Sequence, residues 1–150
     1  MNITLNDLLK VPYLDGGRDL SGLDCYGQVW FGRQHIVARP LARSYAHILC
    51  SNKSGMTEAF FSMLPMFEEV KPRHGAVGCC FRKDADGKDV LLHVGLVLFV
   101  DGQLRALNTN AKSGPELMPL RQFDRLALDV RYYDDRHDSN LSKQAGQNPV

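Results

Sequence analysis

Two Asp-Gly pairs constrain the fold of this 150-residue chain more than any other feature of its sequence. Asp86-Gly87 and Asp101-Gly102 each separate two segments rich in aliphatic residues, and Asp-Gly is typical of the tight turn that joins antiparallel strands. The surrounding pattern predicts strands over residues 76–81, 90–100, 104–108 and 126–133. The chain after Pro72 is therefore expected to form an antiparallel sheet.

The N-terminal half has a helical pattern instead. Leucines between residues 5 and 9 predict a short first helix, capped by Asn2 or Asn6, which ends before Pro12 because proline disfavours helix in the residue before it. Residues 57–64 predict a later helix, and its aromatic side chains are assigned to the core. Helices followed by adjacent antiparallel strands indicate the α+β class, with N-terminal helices packed on a small antiparallel sheet.

Length and composition predict one soluble globular domain over residues 1–133, with a core of ordinary size. The polar segment 134–150 is expected to be a disordered tail. Lysine and arginine total 18 against 17 acidic residues, and these charges are interleaved, so no basic patch for nucleic acid is predicted.

The first ten residues contain no basic segment followed by a long apolar run and a cleavage site, so no signal peptide is predicted. The longest apolar stretch is interrupted by His93 and is too short to span a bilayer. We expect a protein made in the cytoplasm, where its four cysteines stay reduced.

Cys25 is the residue most suited to chemistry. It follows a polar, glycine-rich segment and precedes an apolar stretch with helical spacing, so Asp24 is predicted to cap a helix from Cys25 to about Phe31. A thiol in the first turn of a helix lies near unpaired N–H groups, which favour its thiolate form. The pKa of Cys25 is therefore expected to fall, and Cys25 is a candidate nucleophile.

A candidate base and a candidate orienting group follow on the strands. His93 interrupts a run of aliphatic residues that predicts a buried strand, and the Asp101-Gly102 turn folds the chain back so that Asn108 can lie beside it. The amide oxygen of Asn108 can then accept the imidazole N–H. A cysteine at a helix start, a histidine on a strand and a polar residue on the next strand form a papain-like order.

The other cysteines are predicted to be small core residues. Cys79 and Cys80 are adjacent, so on a strand their side chains point to opposite faces, and Cys50 lies in an apolar segment. Zinc binding through Cys79, Cys80, His74 and His93 is disfavoured, because these residues lack paired ligand spacing. We expect no metal and no cofactor.

The chain resembles the NlpC-type cysteine peptidases, which cleave bacterial cell-wall peptides. Residues 12–17 are similar to the tyrosine and paired glycines of that family, residues 24–27 to its Asp-Cys-Ser-Gly, and residues 93–96 to its His-Val-Gly-Ile. Asp101-Gly102 followed by Asn108 is similar to the last hairpin, where a His, Asn or Gln completes the triad. The resemblance covers residues 12–120.

The resemblance implies a papain-like fold and a role for each matching residue. Cys25 is the implied nucleophile, His93 the base, and Asn108 the group that orients the imidazole. The Tyr13 hydroxyl and the Cys25 backbone N–H are implied to stabilise the oxyanion. Asp24 either caps the helix or holds a substrate amine.

The resemblance also implies a substrate, the amide between D-glutamate and a diamino acid in a peptidoglycan stem peptide. The Asp-Cys-Tyr-Gly form is similar to that of phage and prophage tail-associated members, so phage tail proteins are expected partners, with delivery to the cell wall by the virion or another non-Sec route. Two alternatives stay open. One is a non-catalytic or assembly-related peptide-binding module of a phage tail. The other is a thiol acyltransferase of the same fold, although lipid-handling relatives place the histidine before the cysteine.

Overall fold

The computed structural model describes residues 2–136 and has mixed α+β architecture, as predicted. Its helices are α1 (Leu5–Leu8), α2 (Cys25–Gly32), α3 (Lys53–Met63) and α4 (Leu120–Phe123), with a π-helical segment over Arg33–Val37 and a 3-10 turn over Leu64–Met66. Its strands are β1 (Arg18–Asp19), β2 (Gly22–Leu23), β3 (Phe67–Val70), β4 (Val77–Lys83), β5 (Asp89–Val100), β6 (Gln103–Asn108), β7 (Glu116–Pro119) and β8 (Asp129–Asp135).

Six strands form one antiparallel sheet in the order β3-β8-β4-β5-β6-β7, while β1 and β2 pair separately. Both predicted Asp-Gly connections are confirmed. Asp101 and Gly102 have φ values of 51° and 78°, as the tightest hairpin turn requires, and they join β5 to β6. Gly87, with φ of 78°, lies in the connection between β4 and β5.

Two strands of the sheet were not predicted, and both lie at its edges. β3 has the polar sequence Phe-Glu-Glu-Val and pairs only with β8, whereas β7 ends at a proline and pairs only with β6. An edge strand is paired with a neighbouring strand on one side only. It therefore does not need a continuous apolar sequence, and not all of its backbone N–H groups are needed for pairing. The strand predicted over 126–133 is shifted toward the C-terminus and covers Asp129–Asp135.

The predicted helices are present with corrected starts. The cap of α1 is Thr4, not Asn2 or Asn6, because Thr4 and Asp7 exchange side-chain hydrogen bonds with each other's backbone N–H. α3 begins at Lys53, where the Asn52 side chain accepts a hydrogen bond from Gly55 N, so it extends the predicted 57–64 helix by a full turn. Within residues 2–136, no helix combines the length and apolar character needed to cross a bilayer.

The two faces of the sheet are covered by different elements. One core cluster contains Cys25 and Val29 of α2 together with Cys79 and Val94 of the sheet, whereas a smaller one on the other face contains Cys80, Val97 and Phe123. The prediction that Cys79 and Cys80 point to opposite faces is confirmed. Helix α2, which carries the candidate nucleophile, therefore lies against β5, which carries the candidate base.

The C-terminal end of β8 corrects the predicted start of the tail. Asp134 is completely buried, and its carboxylate accepts hydrogen bonds from Arg33, Arg39 and Arg73 at 2.7–2.9 Å. Three guanidinium groups hold this residue inside the fold, so Asp134 and Asp135 belong to the sheet rather than to a disordered segment. Residues 137–150, the rest of the expected tail, lie outside the described residues.

Two glycines on neighbouring strands make room for Phe123 under the sheet. Gly78 of β4 pairs with Gly95 of β5, and a Cβ added at Gly95 would lie 2.6 Å from Phe123 Cε1. We expect Gly95→Ala to lower the free energy of unfolding by about 1–3 kcal/mol because the buried ring must move. Urea denaturation checks this. Phe123→Leu, which shortens the opposing side chain, should cost less in the Gly95→Ala background than in the wild type; equal costs would contradict the steric explanation.

Candidate functional site

Cys25 is the first residue of α2, and the predicted cap is confirmed. Asp24 has extended backbone geometry, and its Oδ1 accepts a hydrogen bond from Gly27 N at 2.7 Å. This carboxylate satisfies one of the free N–H groups of the first turn and sets where the helix starts. The Cys25 side chain is completely buried against β5.

The Asp24 carboxylate is fully engaged by the protein. In addition to Gly27 N, it accepts a hydrogen bond from Gly16 N at 2.8 Å and forms an ion pair of 2.7 Å with Arg18. Arg18 also donates to the carbonyl oxygens of Ser44 and Tyr45, so it ties the middle of the chain to the start of α2. These contacts favour the capping role of Asp24 over the binding of a substrate amine.

The Cys25 thiol contacts a second cysteine, Cys50, which the sequence predicts only as a core residue. The Cys25 and Cys50 sulfur atoms lie 2.9 Å apart. Cys50 is held by Asp15, whose carboxylate accepts hydrogen bonds from Cys50 N at 2.5 Å and from the Ser51 hydroxyl at 2.7 Å. Cys50 and Cys25 are both free thiols.

The expected fall in the pKa of Cys25 is wrong for this arrangement. The hydrogen bond with Cys50 and complete burial raise the pKa of the Cys25 thiol, and the negative charge of Asp24 adds to this rise. The backbone N–H of Val94 acts in the opposite direction but is outweighed. The position of Cys25 at the N-terminus of α2 therefore does not lower its pKa.

Cys50 carries the more acidic thiol of the pair. The hydrogen bond with Cys25 lowers the pKa of Cys50 to about 6, with further contributions from the positive charge of Lys53 and from the Tyr13 hydroxyl. The Lys53 ammonium lies 4.0 Å from the Cys50 sulfur. The two thiols titrate as a coupled pair, in which Cys50 loses its proton more readily than Cys25.

The backbone around His93 is irregular, and this irregularity sets the position of the ring. Cys80 pairs with His93 but Phe81 pairs with Leu91, so Leu92 is an extra residue in β5. The Leu92 carbonyl oxygen accepts a hydrogen bond from Lys53 Nζ at 2.7 Å. Lys53 therefore stabilises the bulge next to His93 and also lies beside Cys50.

The predicted pairing of His93 with Asn108 is present. His93 Nε2 lies 3.1 Å from Asn108 Oδ1. Because an amide oxygen only accepts hydrogen bonds, Nε2 carries the proton in the neutral ring, and Nδ1 keeps the lone pair that a general base needs. Asn108 is almost completely buried, so the ring is held in one orientation.

His93 is kept neutral by its surroundings. Burial lowers the pKa of His93 below its ordinary 6.5; the hydrogen bond to Asn108 opposes this, and the positive charge of Lys53 adds to the lowering. An uncharged imidazole near neutral pH can accept a proton, which is the state that general-base catalysis requires.

Tyr13 is placed beside the two cysteines. It precedes the turn that holds Asp15, and its backbone forms a bridge with Leu23. Burial and the neighbouring Cys50 sulfur raise the pKa of the Tyr13 hydroxyl, which therefore stays protonated and can donate a hydrogen bond. A protonated phenol beside Cys25 can stabilise an oxyanion by donating a hydrogen bond, which is the role that the sequence predicts for Tyr13.

The structure brings the predicted residues together in two groups, which lie on opposite faces of the sheet. Tyr13, Cys25 and Cys50 form one, while His93 and Asn108 form the other. The Cys25 sulfur interacts with the backbone N–H of Val94, the residue after His93, but among residues 2–136 its thiol hydrogen bond goes to Cys50 and not to the imidazole.

Sequence reasoning missed Cys50 and Lys53. Neither has a local signature, because Cys50 is 25 positions from Cys25 and Lys53 is 39 positions from the carbonyl group it binds.

An apolar cavity of about 60 Å³ adjoins Cys50. It lies between α3 and the sheet, and its lining includes Ile48, Phe60, Leu91 and Val94. Arg18 and Asp24 also border it, but they are paired with each other. The cavity therefore suits an apolar group rather than a charged one.

In the part of the chain that the structure describes, no three histidine, cysteine or acidic residues are grouped so that they could hold a metal ion. Comparison of the chain with protein-family models, curated proteins and solved structures gives no match.

Proposed function

We propose that this protein is a cysteine hydrolase of the papain-like NlpC type that cleaves an amide bond in peptidoglycan stem peptides. The observation that carries the proposal is the His93–Asn108 hydrogen bond, which leaves Nδ1 as the basic atom of a neutral imidazole, one residue away from the backbone N–H that the Cys25 sulfur contacts. The choice of substrate rests on the resemblance of residues 12–17, 24–27 and 93–96 to that family.

The proposed reaction begins with movements of both the nucleophile and the base. The Cys25 side chain rotates away from Cys50. His93, whose ring packs near Phe123 on the other face of the sheet, moves toward Cys25 and takes its proton. The resulting thiolate attacks the amide carbonyl, while the Tyr13 hydroxyl and the Cys25 backbone N–H stabilise the oxyanion. The imidazolium then protonates the leaving amine, and water, deprotonated by His93, hydrolyses the thioester. The pKa of Cys25 is raised while its thiol contacts Cys50. Substrate binding is therefore proposed to separate the two thiols before the reaction.

The test is digestion of purified muropeptides, followed by mass spectrometry, with the wild type and Cys25→Ala. We expect new products from the wild type, whose masses identify the bond cleaved, and none from Cys25→Ala. Cys79→Ala is the matched control: Cys79 is equally buried, but its thiol hydrogen bond goes to the Val77 carbonyl oxygen, so this variant should cleave like the wild type. Identical, uncleaved muropeptides with all three proteins would reject the hydrolase.

The apolar cavity beside Cys50 favours acyl transfer as the second candidate, because the same thiol and base can pass an acyl group to an alcohol or amine. Mass spectrometry of the muropeptides separates hydrolysis from acyl transfer. Hydrolysis splits the muropeptide with the addition of water, whereas transfer from an added acyl thioester increases its mass. A phage tail module that only binds peptide would retain muropeptides without altering their masses, and phage tail proteins remain the proposed partners in that case.

A further inference from the structure

The second cysteine, Cys50, has no part in the proposed hydrolysis, yet its sulfur is in contact with that of the nucleophile. The 2.9 Å between the Cys25 and Cys50 sulfur atoms leaves less than 1 Å to close, because a disulfide bond is about 2.05 Å long. Cys79 and Cys80 have no such partner, since they point to opposite faces of the sheet. The chain therefore contains one pair of thiols placed for a bond within the molecule.

The two thiols of this pair differ in exposure and in charge. Cys25 is completely buried, whereas Cys50 is 7% exposed and lies 4.0 Å from the Lys53 ammonium. A positive group beside a sulfur favours its thiolate, which is the form that reacts with peroxides. A small oxidant would therefore react first at Cys50, with Cys25 in contact behind it.

We propose that Cys25 and Cys50 form a reversible disulfide when the protein meets a hydroperoxide, and that this bond switches off the nucleophile. Inactivation by the bond rests on the proposed function, whereas the disulfide itself does not.

The steps balance with the hydroperoxide as the only oxidant. The Cys50 thiolate attacks the terminal peroxide oxygen, so that an S–O bond forms, the O–O bond breaks, and the alkoxide or hydroxide leaves and takes up a proton from water. Cys25 then loses its proton and its sulfur attacks the Cys50 sulfur. The S–S bond forms, the S–O bond breaks, and hydroxide leaves with that proton as water. Two thiols are oxidised by two electrons, and one peroxide bond is reduced.

The test exposes the reduced wild-type protein to hydrogen peroxide in the absence of thiols and then measures intact mass and maps peptides. We expect the loss of two hydrogen atoms, a peptide linking Cys25 to Cys50, and recovery of both thiols with dithiothreitol. Oxygen added at Cys50 with no linked peptide, or two thiols that still alkylate, would overturn the disulfide.

Two variants serve as controls. Cys50→Ser should give no linked peptide and should retain an alkylatable Cys25, whereas Cys79→Ala should form the Cys25–Cys50 link like the wild type. A thermal melt of each variant checks that it is folded. Loss of the link in folded Cys79→Ala would contradict the assigned pairing.

Muropeptide digestion of the same wild-type samples separates this inference from the proposed function. We expect cleavage to fall at least about tenfold on oxidation and to return with dithiothreitol, because the sulfur in a disulfide is no longer a nucleophile. A disulfide in a protein that cleaves in neither state supports the modification and rejects the hydrolase. Cleavage by the reduced protein that continues unchanged in the disulfide form would reject the switch.

Discussion

Replacing His93 with alanine is expected to lower kcat/KM for muropeptide cleavage by about 100- to 10,000-fold, the usual contribution of a positioned general base. The His93 ring is held by Asn108 at 3.1 Å, with Nδ1 left as its basic atom. In the proposed mechanism, His93 is the group that takes the proton of the Cys25 thiol, whose pKa is raised by Cys50 and by burial. Steady-state kinetics on a defined stem peptide measure the effect.

His47→Ala is the matched control for this variant, because His47 is exposed and has no part in the proposed mechanism. It should retain the activity of the wild type. Asn108→Ala should have a smaller effect than His93→Ala, since it removes the group that orients the ring but keeps the base. Equal activity of His93→Ala and the wild type would exclude His93 as the base.

The pH dependence gives a second readout of the same residue. Burial lowers the pKa of His93 below 6.5, and Lys53 adds to this effect, so the ring stays neutral into mildly acidic solution. Activity should fall only when the pH drops below that lowered pKa, where the base becomes protonated. Lys53→Met removes one positive charge near the ring, so its acid limb should move to higher pH. An unchanged acid limb in this variant would contradict the electrostatic role of Lys53.

The sequence predicted those parts of the fold in which local chemistry decides the outcome. Asp101-Gly102 defines a hairpin because both residues must adopt positive φ, and that turn determines that Asn108 returns to His93. Asp24 was recognised as a cap because its side chain acts on a backbone N–H three residues away.

The contacts that were missed depend on distant residues. Cys50 lies in an ordinary apolar segment, and only the folded chain places its sulfur against that of Cys25. The bulge at Leu92 adds one residue to a regular apolar strand, so the side-chain pattern does not reveal it. For the same reason the pKa of Cys25 could not be predicted: the helix start agrees with the prediction, but the neighbouring Cys50 sulfur and complete burial reverse the expected direction.

Asp134→Ala is expected to lower the free energy of unfolding by about 3–5 kcal/mol, because it leaves the fully buried Arg33 guanidinium without its buried counter-charge. Asp135→Ala is the control. The Asp135 side chain is 44% exposed and also contacts Arg33 and Arg39, so its loss should cost about 1 kcal/mol or less. Urea denaturation of both variants at neutral pH measures the two costs, and similar costs would contradict the importance of burial.

Acid unfolding provides the pH test of the same carboxylate. Burial alone would raise the pKa of Asp134, but its hydrogen bonds with Arg39, Arg73 and Arg33 outweigh this and lower the pKa from 3.8 to about 2. A carboxyl group whose pKa is lower in the folded state stabilises the fold fully above its unfolded pKa, and this contribution is lost as the pH falls toward the folded value. The wild type should therefore lose stability between about pH 4 and pH 2 more steeply than Asp134→Ala, which has no carboxylate left to protonate at this position. Parallel acid-unfolding curves would mean that another carboxylate controls this transition.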